Sequence, residues 1–348
     1  LKILLTGGSI LYKVPLAFPD VGEEERRLLI EAYDTRHLST GKYVKQFEEV
    51  LASYLGVKYV IAVSSGTAAI LLAWNALKNL RLIKNKVEIP ALNFSSDVAM
   101  VKMLGIPWKF VDWRDPSNFP VHLMGFPYPS PRNVLVEDCC EGLGAMLNGK
   151  KLGNLGLVST HSFFTSHIIT TGEGGACATD NLEIAEEIKS LRAYGRDFTA
   201  KPFKPYFFKT LGWNCKMSDV QAAIGIGQMQ KLDSFLAKRR STGKKLQSVN
   251  WNKHRPLFEY NLEAAYFGFP IIANSKDSHM ASDLEKLSIE TRPLLAYMPS
   301  QPWIRSSSKY KHALNINSKA FYIGCHHSYT EEQIEYLLQS LDSVNKNA

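Results

Sequence analysis

The sequence lacks any run approaching the ~20 uninterrupted apolar residues that a membrane-spanning helix needs, so no membrane association is expected. Its opening, "LKILLTGGSILYKVPLAF", has neither the basic head nor the small-residue cleavage site of a secretory signal, and a cytoplasmic location is the expectation. Cysteine is scarce: five residues (139, 140, 177, 215 and 325), an odd number without a Cys-x-x-Cys pair, read as reduced, mostly buried thiols. The net charge of +8 is not gathered into an arginine-rich helix or a zinc-binding spacing, so nothing organises it for nucleic acid; a phosphate-bearing small molecule accounts for it equally well. Internal repeats and low-complexity tracts are absent too.

What is present is ordinary globular material, 348 residues with 45% hydrophobic and 11% aromatic side chains, enough for one large core and a smaller one. "EEERRLLIEAYD" and "VKQFEEVLASYLG" carry helical spacing, the second ending at Gly56 as a C-cap. "KYVIAVSSGTAAILLAWNAL" is a short β-branched run, a small-residue turn at 64–66 and a long apolar helix from Thr67. "KVEIPALNF", "WKFVDW" and "NVLVEDCC" read as buried strands alternating with helices such as "SSDVAMVKMLG". This predicts an α/β domain with a mostly parallel, helix-covered sheet over 14–240. After the long helix in "MSDVQAAIGIGQMQKLDSFLAKRRSTGKKLQSV" the pattern changes, predicting a smaller α+β domain over 241–348. The opening "LKILLTGGS" mimics a dinucleotide-binding strand, but the later glycines of that fingerprint are missing.

The turn "SSGTAA" places the N–H groups of Gly66, Thr67 and Ala68 at a helix N-terminus, where the dipole and unpaired donors favour phosphate. A tight turn demands small residues as well, so alone this is a weak signal. Asp138 ends the strand "NVLVED", at the carboxyl edge where open α/β sheets collect ligands. A carboxylate there suits a pyridinium N–H, although capping the next turn is an equally simple role. Phe94, ending another strand, offers a ring for stacking or one more core side chain. Further on, "SFFTSHIITTGEGG" sets Ser162 and His167 before a Gly-Glu-Gly-Gly turn.

In this order "SGTAA", "VEDCCEGLGA", "SFFTSHIITTGEGG" and "GWNCKMSDVQAAIGIGQMQKL" resemble the DegT/DnrJ/EryC1/StrS family, from about Val14 to the C-terminus. These are fold-type I, pyridoxal-phosphate (PLP) sugar aminotransferases, which implies a seven-stranded-type sheet and a homodimer with shared active sites. At the position of His167 the family normally has the lysine that forms a Schiff base with PLP. Imidazole cannot form that bond, so the resemblance implies PLP or pyridoxamine phosphate (PMP) held without a covalent tether. Histidine's ordinary pKa near ~6.5 still suits it to moving protons. "RAYGRD", Lys216 in "NCKMSD", "YFGFPI", "SQPWI" and "FYIGCHHSYTEEQ" resemble the branch with this replacement, the NDP-4-keto-6-deoxyhexose 3-dehydratases of the GDP-4-keto-6-deoxymannose type. Relatives that carry a [2Fe–2S] cluster place a cysteine pair after Gly-Arg-Asp; here Phe198 and Thr199 follow, and no iron–sulfur cluster is expected. "SSGTAAI" is nearer the aminotransferase form of the phosphate turn.

By position the resemblance gives Gly66, Thr67 and Ser162 to the cofactor phosphate and Phe94 to the ring face. Asp138 falls to the ring nitrogen, Glu141 to the vicinity of the ring hydroxyl, and Asn214 to the phosphate of the neighbouring subunit. It implies C3 dehydration of a nucleotide-linked 4-keto-6-deoxy sugar, GDP favoured, with His167 and Asp138 catalytic and glutamate as amino donor. Arg196 and Arg292 are candidates for the diphosphate. Adjacent His326 and His327 are expected to point apart, one lining the substrate cleft and one exposed, with no metal held between them. Two rivals stand: an aminotransferase using Lys150, Lys151 or Lys216, and a non-catalytic binding relative.

Overall fold

The computed structural model describes residues 12–198, 206–252, 254–275, 278–304 and 306–347. The dinucleotide-like start at 1–9 and Thr199 lie outside the described residues. Helices α1 (Glu23–Asp34) and α2 (Lys42–Leu55) come first; α2 closes on Gly56 in the left-handed conformation at φ 76°. The chain then alternates: β1 (Tyr59–Val63), α3 (Gly66–Asn79), β2 (Val87–Pro90), β3 (Leu92–Asn93), α4 (Ser95–Met103), β4 (Trp108–Val111) and β5 (Val136–Asp138). A small hairpin, β6 (Met146–Leu147) and β7 (Lys150–Lys151), precedes β8 (Val158–Ser162), β9 (Gly175–Thr179) and α5 (Leu182–Arg192).

The strands β1-β9-β8-β5 form one sheet and β2-β4 a parallel pair. Segment 117–122 joins them. Ser117 Oγ donates to the Glu88 carbonyl and Asn118 Oδ1 accepts the Glu88 N–H, while Asp138 N–H donates to the Pro120 carbonyl and His122 N–H to that of Asp138. The order across is thus β4, β2, this segment, β5, β8, β9, β1, the width anticipated for the fold. The pairs β2–β4 and β5–β8 are parallel, but β9 runs antiparallel to both neighbours. The reason lies in residues 163–174, which connect β8 to β9 without a helix. A parallel return requires a long crossover, so this short connection turns the chain straight back. Phe163 N–H to Gly174 O and Thr171 N–H to Phe163 O, both 2.9 Å, close it into a compact loop, and that loop carries His167.

The long α6 (Asp219–Gln247) starts on a capping box in which Ser218 Oγ accepts the Gln221 N–H. Its Asp219 accepts the N–H groups of Gly41 and Val44 at 2.9 Å each, so it also caps α2, an arrangement worth about 1 kcal/mol. Residue 240 falls inside α6, and Thr242 and Leu246 beyond it are buried. After α6 come β10 (His254–Pro256), β11 (Gly268–Ala273), α7 (Met280–Lys286), β12 (Thr291–Pro293), β13 (Ala296–Tyr297), α8 (Lys311–Lys319), β14 (Ala320–Gly324) and α9 (Glu331–Asn347). The order β10-β11-β14-β12 makes a second, antiparallel sheet. β13 pairs with β3 of the first region, and Val14 pairs with Ile289, so the two regions are stitched by backbone hydrogen bonds.

Candidate active site

One cavity of about 710 Å³ opens where β1, β5 and β8 end, walled opposite by residues 292–296 and Tyr322 of the second sheet. It gathers Gly66, Thr67, Phe94, Asp138, Glu141, Ser162, His167 and Arg292, positions scattered along the whole chain. The turn at one end is tightly built. A Cβ on Gly66 would stand 2.7 Å from Ser162 Cβ and 3.0 Å from Cys140 Sγ, and one on Gly175 would stand 2.4 Å from the carbonyl carbon of Ser65. Only glycine allows these three segments to meet. Ser65 Oγ accepts the Ala68 N–H at 3.1 Å as the N-cap of α3. That removes Ala68 from the expected phosphate donors, because its N–H is already bound within the turn.

His167 is half-buried on the cavity wall, with its N–H bonded to the Phe164 carbonyl at 2.9 Å. Its ring lies edge-on to Phe267 (5.1 Å) and Phe164 (6.1 Å), and Nδ1 is sealed from solvent without a partner. Burial, then the charge of Arg239, lower its pKa to about 4, so the imidazole is neutral near pH 7 and able to accept a proton. Asp138 Oδ1 accepts the Cys140 N–H at 2.9 Å. Glu141 Oε2 accepts the Met124 N–H at 2.7 Å, yet burial pushes its pKa up to about 8, leaving a carboxylic acid in the cavity at neutral pH. Phe94, the N-cap residue of α4, stays 56% exposed, a ring face open to a ligand rather than a core side chain.

Arg292 reaches the cavity but pairs with Glu290 at 3.2 Å. Arg196 and Asn214 do not line it. Asn214 is exposed and accepts from Lys216 Nζ at 2.6 Å, while Arg196 lies 5.9 Å from the ring centre of Tyr206. The expectation for the histidine pair fails: His326 is 1% exposed, His327 is buried as well, and neither lines the cavity. They follow β14 in a turn, so strand alternation does not apply. Their rings sit 4.0 Å apart, and His327 stacks on Phe235 at 3.6 Å.

Three groups escaped the sequence reading. Asp97, on the first turn of α4, lines the cavity fully buried. Arg239, in the lysine- and arginine-rich stretch of α6, is 0% exposed and donates to His327 Nδ1 and to the carbonyls of Tyr266, Phe267 and Cys325. His122, Glu137 and Cys139 approach within 4.8 Å of one another. His122 Nδ1 accepts the Tyr128 N–H, so its Nε2–H donates to Glu137, which also accepts from Gly153 and Leu155: a closed hydrogen-bond network.

A strand-end carboxylate, a glycine-walled turn at a helix start and an aromatic face share one cavity, and the fold around them is that of the fold-type I PLP-dependent sugar aminotransferases. The DegT/DnrJ/EryC1/StrS aminotransferase family model matches residues 19–122 and 132–342, and the chain belongs to that family. It is 30% identical to the GDP-perosamine synthase of Caulobacter vibrioides, over 97% of this chain and 99% of that one. It is 28% identical to the GDP-4-keto-6-deoxy-D-mannose 3-dehydratase of Yersinia pseudotuberculosis, over 96% and 99%. A solved GDP-4-keto-6-deoxymannose-3-dehydratase with a trapped PLP-glutamate geminal diamine superposes with a TM-score of 0.84 at 27% identity, covering 94% of this chain and 100% of that one. The chain is therefore an enzyme of the PLP-dependent sugar aminotransferase family, similar to proteins named for two different reactions.

The cavity suits a phosphorylated pyridine. Gly66, Thr67 and Ser162 line its end at the start of α3, where a helix N-terminus favours a phosphate, Phe94 offers its face, and Asp138 offers a carboxylate for a ring nitrogen.

Proposed function

We propose that this protein removes the C3 hydroxyl of a nucleotide-linked 4-keto-6-deoxyhexose, using PLP and PMP bound without a covalent tether. One observation carries the reading: His167 lines the cavity in the loop between β8 and β9, and among the described residues no lysine lines it. Lys151 is bound to the Tyr54 carbonyl, Lys216 to Asn214, and Lys150 is exposed.

When bound, the cofactor supplies an amine for the C4 ketone and a ring that takes up an electron pair. Gly66, Thr67 and Ser162 hold its phosphate, Phe94 covers one face of its ring, and Asp138 keeps a proton on the ring nitrogen. Glu141, as a carboxylic acid, donates a hydrogen bond toward the ring hydroxyl. His167, neutral at working pH, would take the proton from the cofactor's C4′ carbon and pass it to the C3 hydroxyl, which would leave as water. Glutamate is the two-electron donor, leaving as 2-oxoglutarate and ammonia; the PLP-glutamate adduct of the similar dehydratase supports this choice. The names of the relatives favour a GDP-sugar. Exposed Asn214 is available to reach the phosphate site of a second subunit in a homodimer.

The test is incubation with PMP, or PLP and glutamate, and a panel of nucleotide-linked 4-keto-6-deoxy sugars. A product lacking the C3 oxygen is expected in the mass spectrum, and borohydride should leave no cofactor mass on the chain. The likeness to a GDP-perosamine synthase favours the alternative, transfer of an amino group to C4. A 4-amino product that retains its C3 oxygen, or a cofactor adduct on a lysine, would establish that alternative.

A further inference from the structure

Asp97 and Asp138 approach the cavity from different elements, the start of α4 and the end of β5, and both are buried. Their side chains are within hydrogen-bond reach of one another. Asp138 Oδ1 is occupied by the Cys140 N–H at 2.9 Å and, more weakly, by Thr160 Oγ1 at 3.5 Å. Asp97 Oδ1 accepts from Ser96 Oγ at 3.5 Å, while its Oδ2 is sealed from solvent and makes no hydrogen bond within 3.5 Å, although the Asn93 amide bears on the carboxyl as a donor. The groups that bear on Asp97 are Asp138, Ser96 and Asn93, none of them a cation. Cys140 and Glu141 face Asp138 from the turn after β5, again without positive charge. Two ionised carboxylates in contact, out of water and without a counter-ion, repel; one proton between them converts the clash into a short, charge-assisted hydrogen bond.

We propose that Asp97 holds this proton and donates it in a hydrogen bond to Asp138, making Asp97 a positioning residue that keeps Asp138 ionised and aimed at the cofactor's ring nitrogen. Burial first, and the charge of Asp138 second, hold the Asp97 carboxyl well above the usual range, in keeping with that assignment. The donated bond shares the negative charge of the Asp138 carboxylate, so the proton beyond it stays on the ring nitrogen. The inference rests on the reading of Asp138 as the ring-nitrogen partner.

The experiment is infrared spectroscopy of the full chain loaded with PMP, with Glu141→Gln as background because Glu141 is itself protonated near neutral pH. A carboxylic-acid C=O band at pH 7 should persist in Glu141→Gln and vanish in Glu141→Gln/Asp97→Asn. The second readout is the nitrogen NMR shift of ring-labelled cofactor. Asp97→Asn, which retains a donor, should keep the ring nitrogen protonated; Asp97→Ala should move the proton toward Asp138 and lower kcat at least tenfold with little change in KM. Absence of the acid band, or a protonated ring nitrogen in Asp97→Ala, overturns the inference and leaves the dehydratase reading standing. Should Asp97→Ala not fold, the infrared comparison decides alone. A ring nitrogen still protonated in Asp138→Asn would instead remove Asp138 from its assigned place.

Discussion

Two buried polar clusters flank His167, and they handle charge in opposite ways. On one side Asp97, Asp138 and Glu141 line the cavity; Asp97 has an oxygen without a hydrogen bond and Glu141 is kept protonated by burial. On the other, Arg239 lies in the core beside His326 and His327, bound to three backbone carbonyls and an imidazole rather than to a carboxylate. Burial lowers its pKa to about 10 and, with its charge, holds both imidazoles far below their ordinary range. Both clusters hold groups kept neutral near pH 7 and both leave polar atoms unpaired, Asp97 Oδ2 on one side and Arg239 Nη2, His326 Nε2 and His327 Nε2 on the other, but only the acidic one lines the cavity where a ligand can reach it. Charge enclosed by backbone carbonyls is structural; charge left under-satisfied in a cavity is available for chemistry.

The contrast is testable at its midpoint first. His167→Asn should retain the cofactor while dehydration falls by about 10²–10⁴, since only the proton carrier is lost. A spectrophotometric cofactor titration beside a product assay measures both, and near wild-type turnover would take His167 out of the mechanism. Next in size is Arg239→Met, which orphans three carbonyls and an imidazole nitrogen and should cost about 3–5 kcal/mol in urea unfolding. The same variant should let the His167 pKa climb from about 4, followed by proton NMR, because a repelling charge has gone. A mild stability loss would mean that the basic cluster is less tightly built than its hydrogen bonds indicate.

The acidic side should show in the pH dependence of the cofactor-free protein. Glu141 has a folded pKa of about 8 against an ordinary ~4.5, so the folded state binds the extra proton and stability falls as pH rises from about 4.5 to 8. Glu141→Gln should remove that fall and gain about 3 kcal/mol at pH 8 relative to pH 5. Histidines lowered in the fold act with the other sign: their contribution is complete above about pH 6.5 and is lost as pH falls toward 4, so the acid limb should survive this substitution. The smallest effect is expected from Ser65→Ala. It removes the α3 cap next to the proposed phosphate site and should cost about 1 kcal/mol by thermal unfolding.

How much of this could be read in advance varied with the range of the interactions. The stretch from Tyr59 to Asn79 was legible as strand, turn and helix because each signal is local: β-branched residues, small residues at the turn, then apolar spacing. α1 was legible for the same reason. The antiparallel course of β9 was not, since it follows from how residues 163–174 fold back, nor was the inward turn of both histidines after β14. Asp97 resembles any acid on a helix's first turn, and Arg239 any cation on a solvated helix face.

The sequence by itself determined the alternation of elements, the family and the place of His167, because motif order and local hydrogen bonding are properties of short segments. Only the tertiary structure decided which charges meet. Asp97 faces Asp138 because α4 and β5 converge on one cavity, and Arg239 is enclosed because the backbone around β11 and β14 supplies carbonyls against α6. Electrostatic character depends on burial and on partners brought from distant segments, and neither quantity exists until the chain has folded.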